Sequence, residues 1–307
     1  MRYDRNGFPI PPDFGVPYAG VPDAGSPDEA MPRRGVGSRK RLVVLAMVAV
    51  GLAVVVVPEM MPTVRQMVVE WSLERAGACE ARNDLGGAIA DMSRAIRWHG
   101  DDVDLLCMRA MLRLEDRDAT GALMDATHAA AIAPTAVQPL RVRALVHAVL
   151  GQGDEAIADA EMVVALAAPG DSETLNHRAY IRAIVGRELP AALRDIDAAI
   201  GSLGKSSPEL LDTRGFLLHL LGRHQEAIDQ LNLAIDGMQQ QRRQLGLLAG
   251  RMDRSELTRR LRALDHGLAV MLQHRAMACQ EAGLNEQSKQ DFELARKKGF
   301  DPSRGIF

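Results

Sequence analysis

One spacing recurs six times between residues 69 and 302, and it limits the fold more than any other feature of the chain. Aligned on the small residue that opens each second half, the copies begin NDLGGAIADMSRAI at 83–96, RDATGALMDATHAA at 117–130 and GQGDEAIADAEMVV at 151–164. They continue with GRELPAALRDIDAAI at 186–200, which carries one extra residue, GRHQEAIDQLNLAI at 222–235 and GLNEQSKQDFELAR at 283–296. Ala88, Ala122 and Ala156 are 34 residues apart; Ala192 follows at 36, Ala227 at 35, and Ser288 after a longer insertion. Similarity at a fixed period of this size is the signature of a stacked array, in which each unit buries its apolar face against the next.

Each copy also carries an earlier pair in which Arg precedes a small residue: Arg75-Ala76, Arg109-Ala110, Arg143-Ala144, Arg178-Ala179, Arg214-Gly215 and Arg275-Ala276. The small residue stands seven positions before the turn residue, where two helices can approach closely only if neither presents a large side chain. This predicts a helix pair per copy, for example 103–116 followed by 120–132. Only 4% of residues are aromatic against 47% apolar overall, which suits helices packed through alanine better than a sheet of bulky residues.

An acid follows each Arg at a constant distance. Asp91, Asp125, Asp159 and Asp291 come sixteen residues after Arg75, Arg109, Arg143 and Arg275, and Asp195 comes seventeen after Arg178 because of the added residue. Gln230 replaces the acid opposite Arg214. These are expected to be partly shielded, often bidentate pairs between the two helices of one unit. Their role is to fix orientation more than to add stability, because desolvation offsets much of the attraction.

The pattern resembles the tetratricopeptide repeat family across 69–302. The family's small residue in the first helix is matched by the Ala or Gly of each pair above. The turn glycine is matched by Gly151, Gly186, Gly222 and Gly283, with Asn83 and Arg117 in the first two copies, and the closing proline only by Pro134. The resemblance implies an all-α, right-handed α-solenoid of about six helix pairs. It also implies a concave groove lined by first-helix positions Cys107, Met111, Arg141, Leu145, Asn176, Tyr180, Asp212, Phe216, His219, Gln273 and Met277, suited to a helix or extended peptide of a partner protein. Family members that clamp a terminal carboxylate use several Lys, Arg and Asn residues there. Leu73, Cys107, Asn176 and Asp212 leave Arg141 as the only basic group at those positions, so the chain departs from that activity.

Ahead of the repeats, residues 1–41 are rich in Pro and Gly without 3.6 or 2 periodicity, as expected of a disordered tail. Its end places Arg33, Arg34, Arg39, Lys40 and Arg41 before LVVLAMVAVGLAVVVV at 42–57. Sixteen residues span about 24 Å as a helix, and extension to Met61 approaches the roughly 30 Å of a bilayer core. The expectation is one transmembrane helix over 42–61. Basic residues on the N-terminal flank keep the tail cytoplasmic and put the repeats (63–302, then a tail at 303–307) on the extracytoplasmic, periplasmic side of the cell membrane. A buried strand or core helix and a cleaved signal sequence compete with this reading; the long segment before the apolar run and the lack of a small-x-small site argue against cleavage.

The largest interruption is 237–267, with seven arginines against Asp253, Glu256 and Asp265. Two extended helices are expected, the second capped by Asp253 or Ser255. Arg242, Arg243, Arg251, Arg254, Arg259 and Arg260 form a candidate basic surface for an acidic protein, an anionic headgroup or a polyanion, with a solvated helix face as the simpler alternative.

Chemistry has little support in the sequence. The three cysteines are scattered, no histidine belongs to an HExxH motif, and neither GxSxG nor a P-loop is present. A net charge of -3 without aromatic stacking groups gives no footing for nucleic acid. The reading is therefore a membrane-anchored scaffold for protein–protein interaction with no cofactor and no metal. A self-associating structural membrane protein and an enzyme of unrecognised class are the alternatives.

Overall fold

Alternating 13- to 15-residue helical segments and three-residue turns are what this spacing allows, and a computed structural model of the chain contains them. The structure describes Met47, residues 60–203 and residues 207–300. Among these there are twelve α-helices and no strand. They are α1 over 60–80, α2 Leu85–His99, α3 Val103–Glu115, α4 Ala119–Ile132, α5 Val137–Val149 and α6 Gly153–Leu166. Next come α7 Ser172–Val185, α8 Leu189–Leu203, α9 Pro208–Leu220, α10 His224–Leu247, α11 Arg254–Glu281 and α12 Asn285–Lys297, with a 3₁₀ turn at Ala249–Arg251. The expected membrane span over 42–61 lies outside the described residues apart from Met47, Met60 and Met61, the last two being the first residues described in α1. Among the described residues no helix is long and apolar enough to cross a membrane.

Helix starts follow local chemistry. Asp84, Asp102, Asp118 and Asp171 each accept a hydrogen bond from a backbone N–H three residues on, at 2.8–3.0 Å, satisfying a donor that the first helical turn leaves free. Asp253 receives the Glu256 N–H at 3.2 Å and caps α11, one of the two caps anticipated there. The turns need left-handed backbone. Gly151, Gly186, Gly222 and Gly283 adopt φ of 71–80°, and Asn83 and Arg117 take the same conformation at 62° and 68°. The extra residue of the fourth copy is absorbed by Glu188, at φ 53°, directly before α8.

Within each pair the helices meet through small residues. Ala76, Ala110, Ala144, Ala179 and Ala276 are fully buried, as are Ala88, Ala122, Ala156, Ala192 and Ala227 on the second helices. Gly215 is the tightest case: a Cβ built there would lie 2.6 Å from Leu231 Cγ and 3.3 Å from the Ala227 carbonyl oxygen.

Stacking between pairs is two-layered. Each second helix packs on the next first helix, and the first helices α3, α5, α7, α9 and α11 also touch one another in order. This is the solenoid arrangement, with one face built from first helices.

The last two pairs depart from the module length. With 24 and 28 residues, α10 and α11 outrun the other helices and form a long hairpin. Arg259 on α11 comes back to the first unit: its Nη1 is 3.9 Å from the position a Cβ would take on Gly77 of α1. The Glu80 carboxyl on α1 is pushed up by burial and partly drawn back by Arg259 and Arg262, with Glu115 opposing.

Candidate interaction surfaces

Five of the six arginines hold the acid of their own unit. Arg75 reaches Asp91 at 3.2 Å through Nε alone, whereas Arg109–Asp125, Arg143–Asp159, Arg178–Asp195 and Arg275–Asp291 are bidentate at 2.6–2.8 Å. The aspartates are largely buried and the arginines partly so, and the paired hydrogen bond raises the affinity of Arg143 and Arg178 for their protons. Arg214, facing Gln230, instead donates to Asp197 of the preceding α8 at 2.8 Å. Two other arginines combine both directions: Arg109 also reaches Ser93 of α2 at 3.1 Å, and Arg275 reaches Asn232 of α10 at 2.7 Å. Ser93, Asp197 and Asn232 all stand two residues beyond the acid register, so one side chain ties a helix to its partner and to the unit before it.

The expected groove residues divide into two groups. On the N-terminal side, Met111 is exposed and Arg141 partly so, with Arg141 joined to Glu173 of α7. Leu145 packs into the core and Cys107 is buried, its thiol pushed up to about 11 by burial and then by Asp104, Asp102 and Asp125. A thiol of that kind is a packing group and not a nucleophile at neutral pH.

On the C-terminal side the structure brings several candidates together. Asp212 accepts from His274 Nδ1 at 2.9 Å, and Phe216 stacks on the His274 ring with centroids 4.2 Å apart. Tyr180 and Met277 pack against the same cluster, and burial followed by the Asp212 charge pushes the Tyr180 hydroxyl up. Asp212 and Phe216 are themselves buried, so this knot is mainly internal. His219 lies beside it with Nδ1 3.3 Å from that of His224, and burial pulls its pKa down. Gln273 lines a separate open pocket of about 430 Å³ with Lys289, Phe292, Glu293 and Arg296 at the end of the last unit.

His274 was not singled out from the sequence. Its signal is positional: His177 and His274 occupy the same place, immediately before the repeated Arg. Both have a buried Nε2 without a hydrogen-bond partner, as does the neighbouring Asn176 Oδ1. The basic candidates also divide. Arg242 pairs with Asp265 at 2.8 Å, and Arg259 and Arg260 share Glu256. Arg243, Arg251 and Arg254 are exposed and have no carboxylate partner among the described residues.

These features define a class by architecture: an all-helical array of stacked antiparallel pairs, similar to tetratricopeptide-repeat structures. No family model and no curated protein matches the sequence. Among solved structures, the chain is similar in fold to the Cut9–Hcn1 hetero-tetramer of the APC/C, with a TM-score of 0.52 and 14% identity over 76% of this chain and 39% of that one. A tetratricopeptide repeat protein from Parabacteroides merdae ATCC 43184 aligns over 77% of this chain and 95% of that one, at 18% identity and a TM-score of 0.46. A thermophilic TPR protein of Thermus thermophilus aligns over 56% and 91%, at 17% identity and a TM-score of 0.48.

Proposed function

We propose that the chain is a membrane-anchored scaffold that holds a partner protein through the face built from its first helices. The observation that carries this reading is on α3, where Met108 and Met111, one turn apart, are 48% and 41% exposed. Neighbouring methionines on a helix surface offer a polarizable apolar contact that adapts to a partner's side chains. Arg141 and Glu173 on the following first helices give the same face charged groups of both signs. A helix or extended peptide of mixed character fits such a surface.

The anchor in this reading is the apolar run at 42–57, with the tail cytoplasmic and the repeats on the periplasmic side, as the basic flank suggests. Tethering raises the effective concentration of any partner at the membrane, so a modest affinity suffices. A photo-crosslinking residue in place of Met111, expressed in cells, should give one dominant protein adduct that disappears with Met108→Glu or Arg141→Glu. Random adducts insensitive to both changes would reject groove binding. Reporter fusions at each end test the topology, and a cytoplasmic C-terminus would overturn it.

Self-association is a second reading, favoured by Leu284 and Leu294, which are exposed on the last unit. Sedimentation equilibrium of the full chain in detergent distinguishes it: a concentration-dependent dimer lost with Leu294→Glu would favour this alternative.

A further inference from the structure

The apex of the α10–α11 hairpin carries the most exposed large apolar side chain among the described residues. Leu247, the last residue of α10, is 84% exposed, and Leu248 beside it is 42% exposed. Both stand at the mouth of the 3₁₀ turn Ala249–Arg251, away from every core cluster. Arg243, one turn before Leu247, and Arg251 and Arg254, just beyond Leu248, are exposed and have no carboxylate partner among the described residues. The acids of the region are committed: Asp265 holds Arg242 and Lys298, Glu256 holds Arg259 and Arg260, and Asp253 caps α11. Exposed leucines and arginines without an ion pair therefore fall on one tip.

From this we infer that the hairpin apex docks on an anionic lipid bilayer surface. Two leucines and a single turn offer far less area than the roughly 800 Å² per partner of a stable protein interface. A bilayer asks for no shaped complement: it takes individual apolar side chains below the headgroups, while its phosphates receive arginine forks. Each basic residue near an anionic surface adds attraction, and three together change partitioning by on the order of a hundredfold. Arg259 approaches Gly77, and Arg259 and Arg262 act electrostatically on Glu80, so the start of α11 lies beside α1. The apex surface is separate from the first-helix face and does not depend on groove binding.

The test uses the full chain reconstituted in vesicles, with an environment-sensitive fluorophore on Gly250→Cys, a position where a side chain meets nothing within 4 Å. The native cysteines Cys79, Cys107 and Cys279 are buried and do not compete for label under folded conditions. Nitroxide-bearing lipids should quench the probe in mixed phosphatidylcholine–phosphatidylglycerol vesicles and not in phosphatidylcholine alone. Arg243→Ala/Arg251→Ala/Arg254→Ala should lower the ratio of inserted to free tip by roughly a hundredfold, and Leu247→Asn/Leu248→Asn should abolish quenching. Unchanged helicity and urea midpoint in both variants would confirm that the fold is intact.

Equal quenching in both vesicle types, no quenching in either, or quenching that survives the triple substitution would overturn the proposal. So would a probe shielded only when a partner protein is added. Because the probe reads the tip itself, attachment of the chain by another segment leaves these outcomes distinct.

Discussion

Arg214 Nε lies 2.8 Å from Asp197 Oδ1, reaching back across a unit boundary where the other repeated arginines hold the acid of their own unit. The cause is a single substitution in the pattern: Gln230 stands where the acid belongs. Gln230→Asp should offer Arg214 its regular partner. The cost of Asp197→Ala, about 0.5–1 kcal/mol in the native background for a half-exposed pair, should shrink in the Gln230→Asp background. A double-mutant cycle in urea measures this, and an unchanged Asp197→Ala cost would show that Arg214 stays where it is.

Asp159 tests the regular pair. Its carboxylate receives both Arg143 Nε and Nη2 at 2.7 Å. Asp159→Ala leaves a partly buried guanidinium without its acceptors and should cost about 1–3 kcal/mol. Asp159→Asn, which keeps one acceptor oxygen, should cost less. A urea midpoint unmoved by the alanine change would rule out a shielded pair.

Gly215 and Leu231 should behave as a matched couple. Alanine gains about 1 kcal/mol of helix propensity over glycine, but the new Cβ would collide with Leu231 Cγ, and overpacking of this kind costs about 1–3 kcal/mol. Gly215→Ala should therefore be neutral to destabilising. Adding Leu231→Ile reproduces the Ala179 and Ile196 combination that the fourth unit packs without exposure, and should restore the thermal midpoint.

His177 sets a pH dependence. Burial, and then the Arg141 charge, lowers its pKa to about 3, while the unfolded chain titrates near 6.5. Between those values the unfolded state binds more protons, so stability rises with pH across the window. The full contribution is present above about pH 6.5 and is lost progressively as the pH falls toward 3. His177→Gln should flatten the urea midpoint between pH 5 and pH 7, whereas an unchanged slope would assign the effect to other groups.

Sequence spacing reveals relations that stay within one unit and hides those that cross between units. The Arg–Asp couples, the small residues between helices and the turn positions of Asn83 and Arg117 were all legible because each depends on a constant offset. Arg214–Asp197 was not, since its acceptor is two residues off register. The contact between His274 and Asp212 joins helices from successive units across the long insertion, so no fixed offset announces it. The groove was legible only as a set of helix positions. A position does not tell how deeply a side chain sinks once the neighbouring unit arrives, and Cys107 and Phe216 sink almost completely.

The approach of Arg259 to Gly77 bears on how the molecule comes apart. In an open array each module leans only on its neighbours, and unfolding can start at either free end and travel inward. The approach of Arg259 to Gly77 adds one contact between units that are not neighbours in the stack. Fraying of α1 therefore also bares the Arg259 side of the hairpin, and at that point the first and last described units are not independent of each other.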